Sequence, residues 1–166
     1  EYIRAHYTPT RNPCWACQMN HCNIITFSEG PYAGYIGEEP EAEAVSAWGF
    51  LIGNPDAASM IWISNEVDRL GMDTNEAGWV VAFVMECFEK GILNSKDTDG
   101  LEVKWGDVEA ARALLSKIAN RQGIGNLLAE GVMRASQKIG GKAPEMAIYT
   151  RSGNTPRSHD HRLRWL

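Results

Sequence analysis

Three of the four cysteines stand within nine residues, in the run Asn12-Pro13-Cys14-Trp15-Ala16-Cys17-Gln18-Met19-Asn20-His21-Cys22. Cys14-x2-Cys17-x4-Cys22, opened by a proline, suits a loop, where consecutive thiolates can converge on one centre. A helix or strand would prevent that convergence. Soft thiolates select zinc, copper(I) or iron–sulfur clusters. A cluster normally takes four thiolates, two or three from one short run and another from far along the chain. Zinc more often shows a second C-x2-C or an H-x3–5-H pair. His21 could complete a zinc site, but its place beside Cys22 is strained for a ligand. Three thiols serving only as core residues is the remaining alternative, and the cluster is favoured over both. Cys87 falls on the apolar face of a helix among valines, and free cysteine is among the most buried residue types. The fourth ligand is therefore expected outside this stretch of chain.

Other residues carry acid–base chemistry. Glu41 and Glu43 stand two apart at an expected helix start, so they point to different faces, and a charge there also favours a helix N-terminus. Asp68 and Asp73 bracket Gly71 between two expected helices, Asp73 as an N-cap and Asp68 as a solvent-facing residue. His159-Asp160-His161 places two imidazoles on one side of an extended segment. That spacing suits proton transfer, and it equally suits surface histidines beside an aspartate.

The elements that must hold these residues fit one domain. A chain of 166 residues can bury about 68–70% of its unfolded surface, so it needs neither disulfide nor metal merely to fold. No apolar run approaches the ~20 residues of a membrane span, and no signal-peptide pattern is present. The formal net charge of −5 argues against general nucleic-acid binding. Charge is unevenly spread. Residues 29–43 carry five glutamates and no Lys or Arg, whereas residues 151–164 carry four arginines and two histidines against Asp160. That basic tail suits phosphates, carboxylates or the acidic segment itself. The chain starts at Glu1 and stops after Trp165-Leu166, which leads to the expectation of a piece of a longer protein.

Residues 1–40 lack helical periodicity and predict a cysteine-rich loop segment with a strand at 23–27. Residues 41–140 predict a helical domain, and 141–166 the start of a following segment. A first helix is expected over 41–53, and a second from Asn54-Pro55, with an Asn cap and Pro at the first helical position, to Gly71. A third opens on Asp73-x-x-Glu76, a capping-box pattern, and ends at Gly91. Residues 101–105 alternate like a short exposed strand. Asp107 caps a fourth helix, and a fifth is expected over 126–139. Helices joined by short turns make the fold class mainly α by helix-on-helix packing.

Four stretches together resemble the tungsten-containing aldehyde:ferredoxin oxidoreductases, over residues 12–140. They are the Cys14–Cys17–Cys22 loop; Glu39-Pro40-Glu41-Ala42-Glu43 leading to Trp48-Gly49; Asp68-Arg69-Leu70-Gly71-Met72-Asp73; and the run Arg121-Gln122-Gly123-Ile124-Gly125-Asn126 continuing to Val132. The chain departs from the family pattern in an extra residue before Cys22, Ala42 in a tyrosine place and Met72 in a leucine place. The tail from Ser152 to Arg162 looks more like the tungsten subunit of ATP-independent benzoyl-CoA reductases, which puts the substrate in doubt.

The resemblance implies a tungsten (or molybdenum) bis-pterin beside a [4Fe–4S] cluster on Cys14, Cys17 and Cys22, whose last cysteine lies in the family's C-terminal region. It implies that Asp68, Gly71 and Asp73 meet the pterin and that Glu41 moves protons; the His-Asp-His spacing, not the resemblance, adds His159 and His161 as proton-transfer candidates. The expected activity is oxidation of an aldehyde to a carboxylate with ferredoxin or another electron carrier as acceptor. Reduction of an aromatic acyl-CoA ring is the alternative within the family. A non-catalytic zinc or iron–sulfur interaction module is the alternative of another class. A cytoplasmic, anaerobic setting and a homo- or hetero-oligomer complete the expectation, with the fold of the family's helical domain behind an irregular cluster-binding loop.

Overall fold

The computed structural model of the chain describes residues 2–18 and 22–156. It opens with a short helix α1 (Tyr2–His6) and three strands, β1 (Thr8–Arg11), β2 (Asn23–Thr26) and β3 (Ile36–Glu38). They form an antiparallel sheet in the order β1-β2-β3, with Arg11 opposite Asn23 and Ile24 opposite Glu38. One strand was expected here and three are present. The other two are Thr-Pro-Thr-Arg and Ile-Gly-Glu, which carry no hydrophobic alternation and are strands only because β2 pairs with both. Pro9 is tolerated because β1 is an edge strand. Ile25 and Phe27 enter a small core with Ile61, against Tyr7, Tyr32 and Tyr35.

The helical layer follows. α2 (Ala42–Val45) runs directly into a π-helical turn over Ser46–Leu51, and Gly53 closes it with φ of 71°. α3 (Ala57–Arg69) is capped by Asp56, whose carboxylate accepts the Ser59 N–H, and not by Asn54 as expected. Asn54 Oδ1 accepts the Asp56 N–H at 3.0 Å around Pro55, and Asp56 takes the cap two residues further on. Buried Asn54 instead ties the corner, donating to the Trp48 carbonyl and the Ser59 hydroxyl.

α4 (Thr74–Glu89) is capped by Asp73 and α5 (Val108–Ala119) by Asp107, both as expected. The helix expected over 126–139 is two, α6 (Ile124–Leu128) and α7 (Gly131–Ile139). Gly131 breaks it with φ of 82°, a conformation that costs glycine little and other residues more. α8 (Ala143–Met146) is a single turn. Residues 101–105 form no strand; Val103 is buried in the helical core, so the alternation marks a loop pinned by one side chain.

α4 is the central helix. Val80, Val81, Val84 and Cys87 pack among Trp48, Ile63, Val67, Leu114 and Val132. Cys87 is fully buried in this core, and burial pushes its thiol up to about 11. The glycines of the Arg121–Gly125 run explain themselves in packing. A Cβ on Gly125 would stand 2.2 Å from the Lys117 carbonyl, and one on Gly123 would strike the Asp99 carboxylate. At the far end, residues 150–156 strap onto α4: Glu76 Oε1 accepts the Thr155 N–H at 2.9 Å, and Trp79 donates to the Pro156 carbonyl at 3.0 Å.

Candidate functional site

The three clustered cysteines occupy the connection between β1 and β2. The Asn12 N–H donates to the Cys22 carbonyl at 3.0 Å, one step beyond the last strand pair, so the ladder closes the base of the loop. Inside it the Cys17 N–H donates to the Cys14 carbonyl at 3.0 Å, with Ala16 in the left-handed region. Cys14 is exposed, Cys17 and Cys22 are half-buried, and none is in a disulfide.

The Cys22 thiol donates to Glu41 Oε1 at 3.6 Å. Desolvation, the adjoining Cys14 and Glu41 push it up to about 11. Such a sulfur is not a thiolate by itself, and ligation to a metal would supply that state. Among the described residues no three His, Cys, Asp or Glu side chains meet closely enough for one metal ion. Trp15, between two of the cysteines, is 98% exposed. Met19 and His21 lie outside the described residues.

Behind Cys22 a cleft of about 120 Å³ is lined by Glu38, Glu41, Ser64, Asp68 and Thr74. They come from four places in the fold. Glu38 ends β3, Glu41 stands at the N-cap of α2, Ser64 and Asp68 lie on α3, and Thr74 opens α4. Glu41 occupies a cap position without making a side-chain cap bond, so its carboxylate is turned to the cleft and Cys22. The Asp68 carboxyl is pushed above the ordinary carboxylate range by desolvation and then by the Glu38 charge. Trp48 Nε1 donates to Thr74 Oγ1 at 2.8 Å, which fixes the start of α4 to the π turn.

The expected residues thus divide. Cys22, Glu41 and Asp68 share the cleft. Asp73 does not: its Oδ1 accepts the Glu76 N–H at 2.9 Å, and it lines a separate cavity of about 180 Å³ with Glu76, Met72 and Leu128. Gly71 is the exposed turn between the two, with φ of 68° and nothing within 4 Å of where a Cβ would be. His159 and His161 lie outside the described residues. Sequence reasoning missed Glu38 and Asn65. The available signal was Asn65 itself, a polar residue one turn after Ile61 at a core position of α3.

A family model described as "Aldehyde ferredoxin oxidoreductase, domains 2 & 3" matches residues 1–165. The chain belongs to this family. The mainly helical layer behind a cysteine-bearing loop is thus the architecture of an aldehyde ferredoxin oxidoreductase-like protein. The chain is 34% identical over 157 residues to a tungsten-containing aldehyde ferredoxin oxidoreductase of Pyrococcus furiosus, covering 94% of this chain and 25% of that protein. It is 36% identical over 125 residues to the WOR-like subunit of an aliphatic sulfonate oxidoreductase from the same organism, covering 75% of this chain and 20% of that one. Among solved structures it is similar to the active-site complex BamBC of benzoyl-coenzyme A reductase with 1,5-dienoyl-CoA. The TM-score is 0.76 and the identity 28%, over 92% of this chain and 22% of that one. The chain therefore spans a quarter or less of the relatives it matches. Among the described residues no helix is long and apolar enough to cross a membrane.

Proposed function

We propose that this chain forms the cluster loop and one pterin-contacting edge of a tungsten-dependent oxidoreductase that converts aldehydes to carboxylates and delivers the electrons to ferredoxin. The observation that supports this most is the shared cleft. A cluster-ligand candidate (Cys22), a proton-transfer candidate (Glu41) and a cofactor-contact candidate (Asp68) line one small space although they come from three elements.

Bound there, a tungsten (or molybdenum) bis-pterin would supply the two-electron couple and a [4Fe–4S] cluster the one-electron steps. Cys14, Cys17 and Cys22 hold the cluster as thiolates, the fourth ligand coming from outside this stretch. Asp68 accepts pterin N–H groups, and Gly71 leaves the turn bare for close approach. Asp73 can serve both its cap and a ligand, because a carboxylate offers about four lone-pair sites. Glu41 accepts a proton as an aldehyde hydrate loses two electrons and two protons to become the acid. His159 and His161 are assigned to proton transfer in the same reaction. The setting is a cytoplasmic, anaerobic one, where a low-potential cluster survives.

The likeness to BamBC favours a second reading, reduction of an aromatic acyl-CoA ring by the same relay run in reverse, within a hetero-oligomer. The full-length protein, purified without oxygen, separates them. Tungsten and iron by metal analysis, with aldehyde-dependent ferredoxin reduction, would support the first reading. Tungsten and iron with turnover of only an aromatic acyl-CoA would replace it with the second, and zinc without tungsten would reject both.

A further inference from the structure

The strand that leaves the cysteine loop and the helix that carries Asp68 are joined through one side chain. β2 begins at Asn23, immediately after Cys22, so the placement of β2 sets the placement of that thiol. β3 pairs with β2, and the Glu39 N–H donates to the Asn23 carbonyl at 2.7 Å. In an antiparallel ladder alternate residues point their backbone groups to opposite sides, so the N–H and C=O of Glu38 face away from β2, on the open edge of the sheet. Asn65 meets both. Its Oδ1 accepts the Glu38 N–H at 2.7 Å, and its Nδ2 donates to the Glu38 carbonyl at 3.1 Å. The same Nδ2 donates to the Ile61 carbonyl at 2.8 Å, which holds the amide against its own helix.

The Asn65 amide thus stands where a fourth strand would pair, and α3 is locked to the sheet in one register. Gly37 permits it: a Cβ there would stand 2.8 Å from Asn65 Cγ and Oδ1. Asn65 is buried, and Asp68 follows it by three residues, about one helical turn. The connection therefore runs from Cys22 through Asn23, Glu39, Glu38 and Asn65 along one turn of α3 to Asp68.

We propose that Asn65 is a positioning residue that fixes the separation between a cluster ligated at Cys22 and a pterin held at Asp68. The inference rests on the function proposed above. Electron transfer weakens steeply with distance, so a sheet edge free to slide along α3 would slow the relay without altering either cofactor. A leucine at position 65 would fill the core, yet it could not hold register, whereas the amide does both.

The test uses the full-length holoenzyme, purified without oxygen, with Asn65→Ala and Gly37→Ala. The first removes the amide, and the second drives it off Glu38 while leaving α3 intact. Iron and tungsten contents are measured first, then the magnetic coupling between the reduced cluster and paramagnetic tungsten, and the kcat and KM for aldehyde. Both variants are expected to retain the cofactors, lose or narrow the spin–spin splitting and lower kcat with KM unchanged. If Asn65→Ala does not fold, Gly37→Ala and Asn65→Asp, which keeps the acceptor and loses both donors, carry the same expectation. Variants with wild-type splitting and kcat overturn the role of Asn65. Wild-type protein without tungsten or iron overturns the proposed function instead.

Discussion

Asp68 and Asp73 flank the same Gly71 turn but line different cavities, the first with Cys22 and Glu41 and the second with Glu76 and Leu128. Their surroundings separate their costs. Asp68 is desolvated and repelled by Glu38, so its folded pKa lies above its ordinary value of 3.8. For a carboxyl raised in the fold, the stabilising contribution is complete below the unfolded pKa and is lost as pH rises through the folded one. The ionised carboxylate at neutral pH therefore works against the fold. Asp68→Asn should leave the melting temperature of the apo chain unchanged or slightly raised near neutral pH, with that gain vanishing in acid. In the full-length enzyme the same change should lower tungsten and pterin content. A lower melting temperature with wild-type cofactor content would make Asp68 a structural residue.

Asp73→Asn tests the neighbouring role. Asn caps a helix as well as Asp, whereas Ala at a cap costs about 0.5–2 kcal/mol. The Asn variant should melt like the wild type and the Ala variant lower. Hydrogen bonds to charged groups contribute about 1.5–3 kcal/mol, against about 1 for neutral ones. Cofactor retention in the full-length Asp73→Asn variant should therefore fall while thermal stability holds. Cofactor content equal to wild type would reduce Asp73 to its bond with the Glu76 N–H.

The cysteines divide in the same way. Cys17→Ala removes a thiolate candidate from the loop and should abolish the cluster signal in electron paramagnetic resonance of the reduced full-length protein. Cys87→Ala should retain that signal and cost about 1–3 kcal/mol of stability, because it truncates a fully buried side chain of α4. An intact cluster in the Cys17 variant, or its loss in the Cys87 variant, would invert the assignment.

Much of this was legible because the signals are local. Asp73, Asp107, Gly71 and Gly91 act within a few residues of themselves, and the structure keeps each where the sequence puts it. The periodic apolar face of α4 likewise needs no partner to be recognised. What was illegible depends on a partner far along the chain. β1 and β3 are strands only through β2, and Asn65 acquires meaning only against Glu38, with which it shares no sequence pattern. Glu41 was legible as an N-terminal charge, but its approach to Cys22 depends on how the hairpin folds back over α2. The expected cap at Asn54 moved two residues on to Asp56, whose N–H the Asn54 side chain accepts.

The Arg121–Gly125 run offers the sharpest test of packing against strain. Asp99 Oδ2 accepts the Ile124 N–H at 2.8 Å and the Lys117 ammonium at 3.2 Å, so one carboxylate ties a loop, α5 and α6 together. The Ile124 bond first, and Lys117 second, hold the Asp99 carboxyl below the usual range. A depressed carboxyl contributes stability above its unfolded pKa and loses it as pH falls through the folded value. Asp99→Asn should therefore melt below the wild type near neutral pH, and the gap should close as pH falls below 3.8. Gly125 is the harder constraint, because the atom its Cβ would meet belongs to the Lys117 backbone at 2.2 Å and cannot rotate away. Overpacking typically costs about 1–3 kcal/mol and occasionally more. With no side chain to yield, Gly125→Ala should reach about 3 kcal/mol, or roughly 6–12 °C of melting temperature for a domain of this size. Gly71→Ala meets open space and carries only the strain of its positive φ, about 1–2 kcal/mol. Melting curves of the two alanine variants decide between these causes: equal losses would mean that α6 can shift away from α5 to make room for the added methyl.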